Sequence, residues 1–236
     1  MALVKNKGGG VARIQYVLFA LSIICVLDPI QFFAHAADPD PLQDFCVADT
    51  TAVEGGVRMN GYPCKDRALV TSDDFVFTGL RNKGNTSVTG TDAVITFALV
   101  DQYPGLNTQG ISHVRLDLEP GGVIPLHSHP LATETIFVVE GTINTGFVSH
   151  ENILFSKILQ KGDVFIFPRG LLHFQENVGN KSAICFNSFN AQFPALLLAA
   201  NQMFATNIST TVLTKSFGAS QIAMKYLAAV LPRYWG

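Results

Sequence analysis

Residues 121–129 read Gly121-Gly122-Val123-Ile124-Pro125-Leu126-His127-Ser128-His129, and Glu134 follows five residues later. Because successive side chains of an extended segment point to opposite faces, His127 and His129 project from the same face. Glu134 begins the next predicted strand, 133–140, which ends at the turn residue Gly141. This stretch therefore predicts two imidazoles on one strand and a carboxylate on the strand that follows.

A second block, Gly162-Asp163-Val164-Phe165-Ile166-Phe167-Pro168-Arg169-Gly170, is followed by His173 and Asn177. It stands one hairpin later, so His173 can reach the same point from a facing strand. Three imidazoles and one carboxylate then form a candidate divalent-metal site made of His127, His129, Glu134 and His173.

That donor set, with no thiolate, favours Mn, Fe, Ni or Zn over Cu(I) or an iron–sulfur cluster. Four protein ligands on an octahedral ion leave two positions for water or substrate. A lone His-x-His pair is more often structural than metal-binding. The added carboxylate, the distant histidine and the flanking glycines favour the metal site here.

Short strand candidates separated by glycine turns occupy residues 92–190. They are rich in Ile, Val and Phe and comprise 113–119, 135–140, 142–148, 152–159, 163–167 and 183–189. Many short strands at this spacing predict a mainly β fold, either a barrel or a jelly roll. In the first of them, alternation places Val114 and Leu116 on the apolar face and His113 on the opposite face, as a solvated or interface residue.

The pattern becomes helical after residue 190, and C-terminal helices are expected over about 194–231. Residues 194–206 are rich in Ala and Leu, with Pro194 suited to a first turn, and 219–230 carry an apolar stripe. A small barrel has little room for two apolar helices, so we expect them to cover a neighbouring subunit.

Residues 1–36 have the parts of a secretory signal peptide. A basic flank precedes an apolar run over 14–27, and small residues at 34–36 place cleavage after Ala36. A membrane anchor is the alternative, but the run is shorter than the roughly 18–20 residues that cross a bilayer. We expect 37–236 to form one domain, with no further membrane segment.

Composition excludes two other classes of protein. The chain has 48% hydrophobic and 14% charged residues, which is too apolar for a disordered chain. Its formal net charge is −2, so no basic surface for nucleic acid is expected.

Three cysteines remain after the signal peptide, and in an oxidising compartment this number indicates one disulfide and one free thiol. Cys46 and Cys64 flank a turn-rich loop and are the candidate pair, with two free thiols as the alternative. Cys185 lies in an apolar run and is interpreted as a buried, inert thiol. Sequons give three candidate glycosylation sites, at Asn85, Asn180 and Asn207.

The two blocks, Gly-x5-His-x-His-x4-Glu-x6-Gly and Gly-x5-Pro-x-Gly-x2-His-x3-Asn, resemble the paired motifs of the cupin superfamily. More narrowly, residues 38–49, 97–110 and 170–175 resemble the plant germin-like proteins, and the similarity runs through essentially the whole mature chain. The resemblance implies a jelly-roll β-barrel that binds manganese through the four candidate ligands, and a Cys46–Cys64 disulfide. It also implies an apoplastic or cell-wall glycoprotein that forms a homohexamer, a trimer of dimers, with the C-terminal helices as dimer clasps.

Activities differ among the proteins that the resemblance covers. They include oxalate oxidases, manganese superoxide dismutases, nucleotide-sugar pyrophosphatase/phosphodiesterases and members without known activity. Oxalate oxidases have two asparagines beside the metal, and gap-free alignment on the histidines puts the apolar, pocket-lining Val114 and Ile124 there, which disfavours a dianion. Leu131 replaces a usual arginine, and Phe193 and Ala195 lie in a segment that usually reads Asn-Pro-Gly.

Two functions remain open at this point. The first is a manganese superoxide dismutase that makes hydrogen peroxide in the cell wall, with a role in plant defence or in the wall. Superoxide is small enough to pass Val114 and Ile124. The second is a non-catalytic wall glycoprotein, binding or structural, in which the metal stabilises the barrel. Oxalate oxidase is the disfavoured third.

Overall fold

The computed structural model describes residues 43–52 and 61–230. The signal peptide expected at 1–36 lies outside the described residues. The described strands are β1 (Ala93–Ala98), β2 (Ser112–Leu118), β3 (Val123–Ser128), β4 (Glu134–Glu140), β5 (Thr142–Val148), β6 (Leu154–Gln160), β7 (Val164–Phe167), β8 (His173–Asn177), β9 (Ala183–Phe189) and β10 (Leu197–Leu198). The described helices are α1 (Ala199–Phe204), α2 (Thr210–Phe217) and α3 (Gln221–Val230).

These strands form two antiparallel five-stranded sheets. One sheet has the order β1-β2-β9-β4-β7 and the other the order β10-β3-β8-β5-β6. Buried apolar side chains from both sheets form one core that includes Leu116, Ile136, Ile143, Phe167 and Cys185. The predicted mainly β fold is therefore confirmed.

Gly141 illustrates why the hairpin between β4 and β5 needs glycine. Its φ is +98°, which L side chains rarely adopt, and a Cβ added there would lie 2.4 Å from the Cβ of Ala183. The turn and the close approach to β9 thus exclude any side chain at this position.

The strands β4, β5 and β9 agree with the predicted segments to within one residue. The predicted 152–159 and 163–167 correspond to β6 and β7, which begin one or two residues later. Hydrophobic alternation identifies strands whose two faces differ in burial. It defines the ends of a strand less well, because the residues at frayed strand ends and in turns are similar in composition.

The structure corrects the prediction that the polar face of β2 is solvated or lies at an interface. Arg115 and Asp117, on the same face as His113, are buried, and Arg115 Nη2 lies 2.7 Å from Asp117 Oδ1. Arg115 Nη1 donates to the carbonyls of Leu80 and Arg81 at 3.1 and 3.2 Å. The segment before β1 therefore covers this face, and a partly buried His113 contacts Ser188 Oγ through Nδ1 at 3.0 Å.

The helix predicted over 194–206 is wrong in its first part. Residues 194–196 are not helical, and Leu197 and Leu198 pair with Ser128 and His127 as strand β10. Pairing with the edge of β3 overrides the local helix propensity, because it supplies hydrogen bonds to an otherwise open strand. Only 199–204 become helical, as α1.

The two later helices have different outcomes. The helix predicted over 219–230 is present as α3, from Gln221. The helix α2, which sequence analysis missed, is capped by Ser209 Oγ, which accepts from the Val212 N–H at 3.3 Å, and ends at Gly218 with φ +60°. Among the described helices, each is too short or too polar to span a bilayer.

Cys46 and Cys64 form a disulfide with an S–S distance of 2.02 Å, and Cys185 is a buried free thiol. All three sequon asparagines, Asn85, Asn180 and Asn207, are exposed.

Candidate metal centre

Three strands deliver the four predicted ligands to one point. His127 lies on β3 directly opposite His173 of β8, and His129 follows the end of β3. Glu134 is the first residue of β4. All four side chains are buried, and one ligand atom from each lies within 4.8 Å of every other. The fold thus brings together residues up to 46 positions apart in the chain.

Backbone carbonyls orient the three imidazoles. Nδ1 of His127 donates to Pro125 O at 2.7 Å, and Nδ1 of His173 donates to Leu171 O at 2.7 Å. Nδ1 of His129 donates to the carbonyl of Ala195. A carbonyl oxygen only accepts, so the proton of each neutral ring sits on Nδ1 and the Nε2 lone pair is free for a metal.

The carboxylate of Glu134 completes the group. Its Oε2 lies 2.9 Å from His173 Nε2 and 3.1 Å from His129 Nε2, and its Oε1 accepts from the Asn187 amide. Burial opposes ionisation of Glu134, but hydrogen bonds donated by Nε2 of His173 and His129 hold its pKa well below the usual range, and a bound cation would take the place of those Nε2 protons. Burial and the neighbouring His173 lower the pKa of His127 to about 3, so its ring is neutral.

This arrangement fits a divalent cation. Three Nε2 lone pairs and an ionised carboxylate converge on one buried point, and the Nδ1 protons already belong to carbonyls. Acceptors packed this closely repel one another unless a cation lies between them. The four residues therefore form a His3Glu group able to bind a metal, and the absence of a cysteine among them favours a hard or borderline ion.

A cavity of about 330 Å³ opens over this group. Its lining includes Val114 and Ile124, the two positions that sequence analysis assigned to the pocket, as well as Phe193 and Ala195 from the segment before β10. Leu131 is exposed, and its N–H donates to the carbonyl of Pro194, another lining residue.

Two of the polar lining residues that were not identified from the sequence are buried. Gln175 is buried on β8, and within the described part of the chain neither of its amide atoms has a hydrogen-bond partner. The same holds for Oδ1 of the buried Asn187 on β9. Both could have been found by their period-two spacing, because Gln175 follows His173 by two positions and Asn187 lies between the inward-facing Cys185 and Phe189.

Comparison with known proteins agrees with this geometry. The sequence profile of the cupin family matches residues 78–225. Germin-like protein 5-1 of Oryza sativa subsp. japonica is 49% identical over 184 residues, which cover 77% of this chain and 80% of that protein. Germin-like protein subfamily 2 member 1 of Arabidopsis thaliana is 43% identical over 210 residues, covering 88% and 94%.

A solved structure of recombinant oxalate oxidase in complex with glycolate superposes with a TM-score of 0.77 at 38% identity, covering 82% of this chain and 97% of that one. Sequence, fold and the buried His3Glu group lead to the same assignment. The chain belongs to the cupin family and, within it, to the germin-like proteins.

Proposed function

We propose that the protein is a secreted, manganese-dependent superoxide dismutase of the plant apoplast. The observation that carries this proposal is the buried His3Glu group at the floor of a cavity whose walls are mainly apolar. Such a centre offers a metal to a very small ligand and offers few polar contacts to a larger charged one.

Manganese suits the donor set, because carboxylate and imidazole oxygen and nitrogen ligands match a hard to borderline ion. Bound there, manganese would supply the one-electron exchange by which two superoxide ions and two protons become dioxygen and hydrogen peroxide. The chain's own part is to hold the three rings by their Nδ1 protons, to keep Glu134 ionised, and to present the Gln175 amide to an oxygen species in the cavity.

Charge balance supports a monoanion as the ligand. A divalent ion with one carboxylate and three neutral imidazoles carries one net positive charge, which one superoxide ion neutralises. Within the described lining of the cavity there is no Lys or Arg to pair with a second negative charge. Burying an unpaired charge is costly, so oxalate, a dianion, remains the disfavoured substrate.

The decisive experiment is a dismutase assay on purified protein whose metal content has been measured. We expect activity that survives cyanide and follows the manganese content. His127→Ala should abolish activity, whereas His150→Ala, the same change at an exposed histidine, should retain it. A fully manganese-loaded protein without dismutase activity would contradict the proposal.

A non-catalytic wall glycoprotein is the second candidate, and the apolar cavity walls favour it because they offer few groups for substrate chemistry. Here the metal only stabilises the barrel. Removal of the metal should then lower the melting temperature strongly, and the metal-loaded protein should have no dismutase activity.

Export and assembly are part of the same proposal. The Cys46–Cys64 disulfide and the exposed Asn85, Asn180 and Asn207 suit an oxidising, glycosylating pathway to the cell wall, where peroxide would serve plant defence. A homohexamer built as a trimer of dimers needs two different interfaces. Two separate sets of exposed apolar side chains are available, one on β4, β6 and β7 and one on α2 and α3.

A further inference from the structure

The cavity over the His3Glu group is far larger than superoxide requires. Its volume is about 330 Å³, whereas one water molecule occupies roughly 30 Å³ in the liquid. Cavities from about 300 Å³ upward are typical of binding sites for organic ligands. A diatomic ion leaves most of this space to water or to another occupant.

The walls of the cavity are mostly apolar and form few hydrogen bonds with water. They include Ile95, Phe97, Val114, Leu116, Ile124 and Phe189. Water against such surfaces makes few hydrogen bonds, so an apolar group that displaces it gains affinity. The walls therefore favour an occupant whose body is a compact hydrocarbon.

The floor of the cavity has the opposite character. Gln175 and Asn187 are each 1% exposed, and the Gln175 amide and Asn187 Oδ1 have no hydrogen-bond partner within the described residues. Buried amide atoms are rarely left without a partner, which points to hydrogen bonds with something in the cavity. A polar head group beside the metal would satisfy them.

Charge limits that head group to a single negative charge. A divalent metal ion, the Glu134 carboxylate and three neutral imidazoles together carry one net positive charge. The carboxylate of Asp101 also lines the cavity. Because the described lining lacks a Lys or Arg, a second negative charge would be buried without a partner or repelled by Asp101.

We infer that the cavity binds a monoanionic organic acid whose single carboxylate or phenolate oxygen faces the metal and whose body, about the size of a benzene ring, packs against the aliphatic walls. This inference rests on the proposed metal centre. It adds a ligand class to that centre, and the ligand would compete with superoxide for the same open positions.

Calorimetric titration of the manganese-loaded mature protein tests the inference in a buffer without carboxylates. Benzoate, acetate and oxalate are suitable probes, because the first two share one charge and differ in the apolar body, whereas oxalate is a compact dianion. We expect benzoate to bind about tenfold or more tightly than acetate and than oxalate, since a buried ring adds apolar contact. Equal affinities for benzoate and acetate would overturn the inference.

A matched pair of variants locates the binding. Val114→Thr keeps the shape of a wall residue but replaces a methyl group by a hydroxyl, and we expect it to weaken benzoate binding roughly tenfold. Val138→Thr makes the same change at a buried core position that does not line the cavity, and it should leave benzoate affinity unchanged. Equal losses in both variants would indicate general destabilisation and would count against the inference.

Failure of the inference can be separated from failure of the proposed function. Metal content and dismutase activity are measured on the same sample before titration. A protein that holds no metal contradicts the proposed function and removes the basis of the inference. A loaded, active enzyme without a preference for benzoate contradicts the inference alone. Benzoate binding of equal strength to the metal-free protein overturns the assignment of its charged head to the metal.

Discussion

Ala195 has an uncommon backbone conformation for its residue type, with φ at +57°. The left-handed region costs an L-residue roughly 1–2 kcal/mol because its Cβ crowds the following carbonyl. The carbonyl of Ala195 is also the acceptor that orients His129. The strain is therefore located at the residue that positions one of the candidate ligands.

Replacement of Ala195 by glycine should relieve that strain. We expect Ala195→Gly to raise the free energy of unfolding by about 1 kcal/mol in urea denaturation. Ala195→Val, with a branched side chain at the same φ, should lower it and also weaken manganese binding, because the carbonyl that holds His129 would shift. A glycine variant less stable than the parent would show that the conformation is not strained.

The Cys185 thiol is buried in the core, as its sequence context predicted. Burial, with a further contribution from the charge of Asp117, raises its pKa to about 12, compared with 9.0 for a free thiol. In the unfolded chain the thiol therefore ionises at lower pH than in the folded protein.

Stability should consequently fall in alkaline solution. The stabilising contribution is complete below about pH 9 and is lost as pH rises towards 12, with a slope of at most about 1.4 kcal/mol per pH unit. Denaturation curves between pH 8 and about pH 10.5 would measure it. Cys185→Ala should remove this part of the slope, and a variant with an unchanged slope would contradict the assignment to Cys185.

At the level of elements, a buried ion pair attaches the chain before β1 to the outer face of β2. Arg115 binds Asp117 and two carbonyls of the covering segment, and Asp117 Oδ2 accepts from the Gly84 N–H at 2.9 Å. Neither charge is exposed, so loss of one partner leaves the other buried without compensation.

We expect Asp117→Ala to lower the free energy of unfolding by about 3–5 kcal/mol. The exposed pair of Arg67 and Asp44, 3.7 Å apart, provides the control, because Arg67→Ala should cost less than about 1 kcal/mol. Chemical denaturation of both variants measures the difference. Similar small losses would mean that the covering segment does not depend on the buried pair.

The segment after β9 is where local propensity and the element formed disagree most. Its Ala- and Leu-rich composition predicts one helix from Pro194, yet β10 pairs with β3 and the carbonyl of Ala195 accepts a hydrogen bond from His129. The conformation there is determined by the edge of β3, whose backbone groups form hydrogen bonds with β10. The periodicity within the segment carries no information about that edge.

For the whole molecule, two sets of exposed apolar side chains have no cover within the described residues. On the strands β4, β6 and β7 they are Phe137, Leu154, Phe155, Ile158, Val164 and Ile166, and on the helices Val212, Phe217, Ile222 and Tyr226. Patches of this kind are typical of protein–protein interfaces. They are consistent with the proposed homohexamer.

The helical surface offers the sharper test of assembly. Ile222 is 82% exposed on α3, and a charge there would be desolvated at an interface. We expect Ile222→Glu to reduce the assembly to a smaller species by light scattering or sedimentation velocity. Leu69→Glu, at another exposed apolar residue, should leave the oligomer intact. An unchanged hexamer in Ile222→Glu would exclude this surface of α3 from the interface.

The sequence by itself determined the mainly β fold, the positions of β4, β5 and β9, and the candidate ligand set. Strand alternation and turn glycines are local properties of the sequence. The two histidine blocks supply the donor residues, and the spacing of two between His127 and His129 places both on the same face of a strand. For the cysteines, the sequence indicated Cys46 and Cys64 as the candidate pair but left two free thiols open, and the structure shows the disulfide.

Only the tertiary structure decided which polar groups are buried and what surrounds the candidate metal. The burial of Arg115 and Asp117 and the strand at 197–198 depend on chain segments far apart in sequence. So does the Gln175 amide, which has no hydrogen-bond partner among the described residues. Burial and long-range hydrogen bonding arise when distant surfaces meet, so the periodicity of one segment cannot encode them.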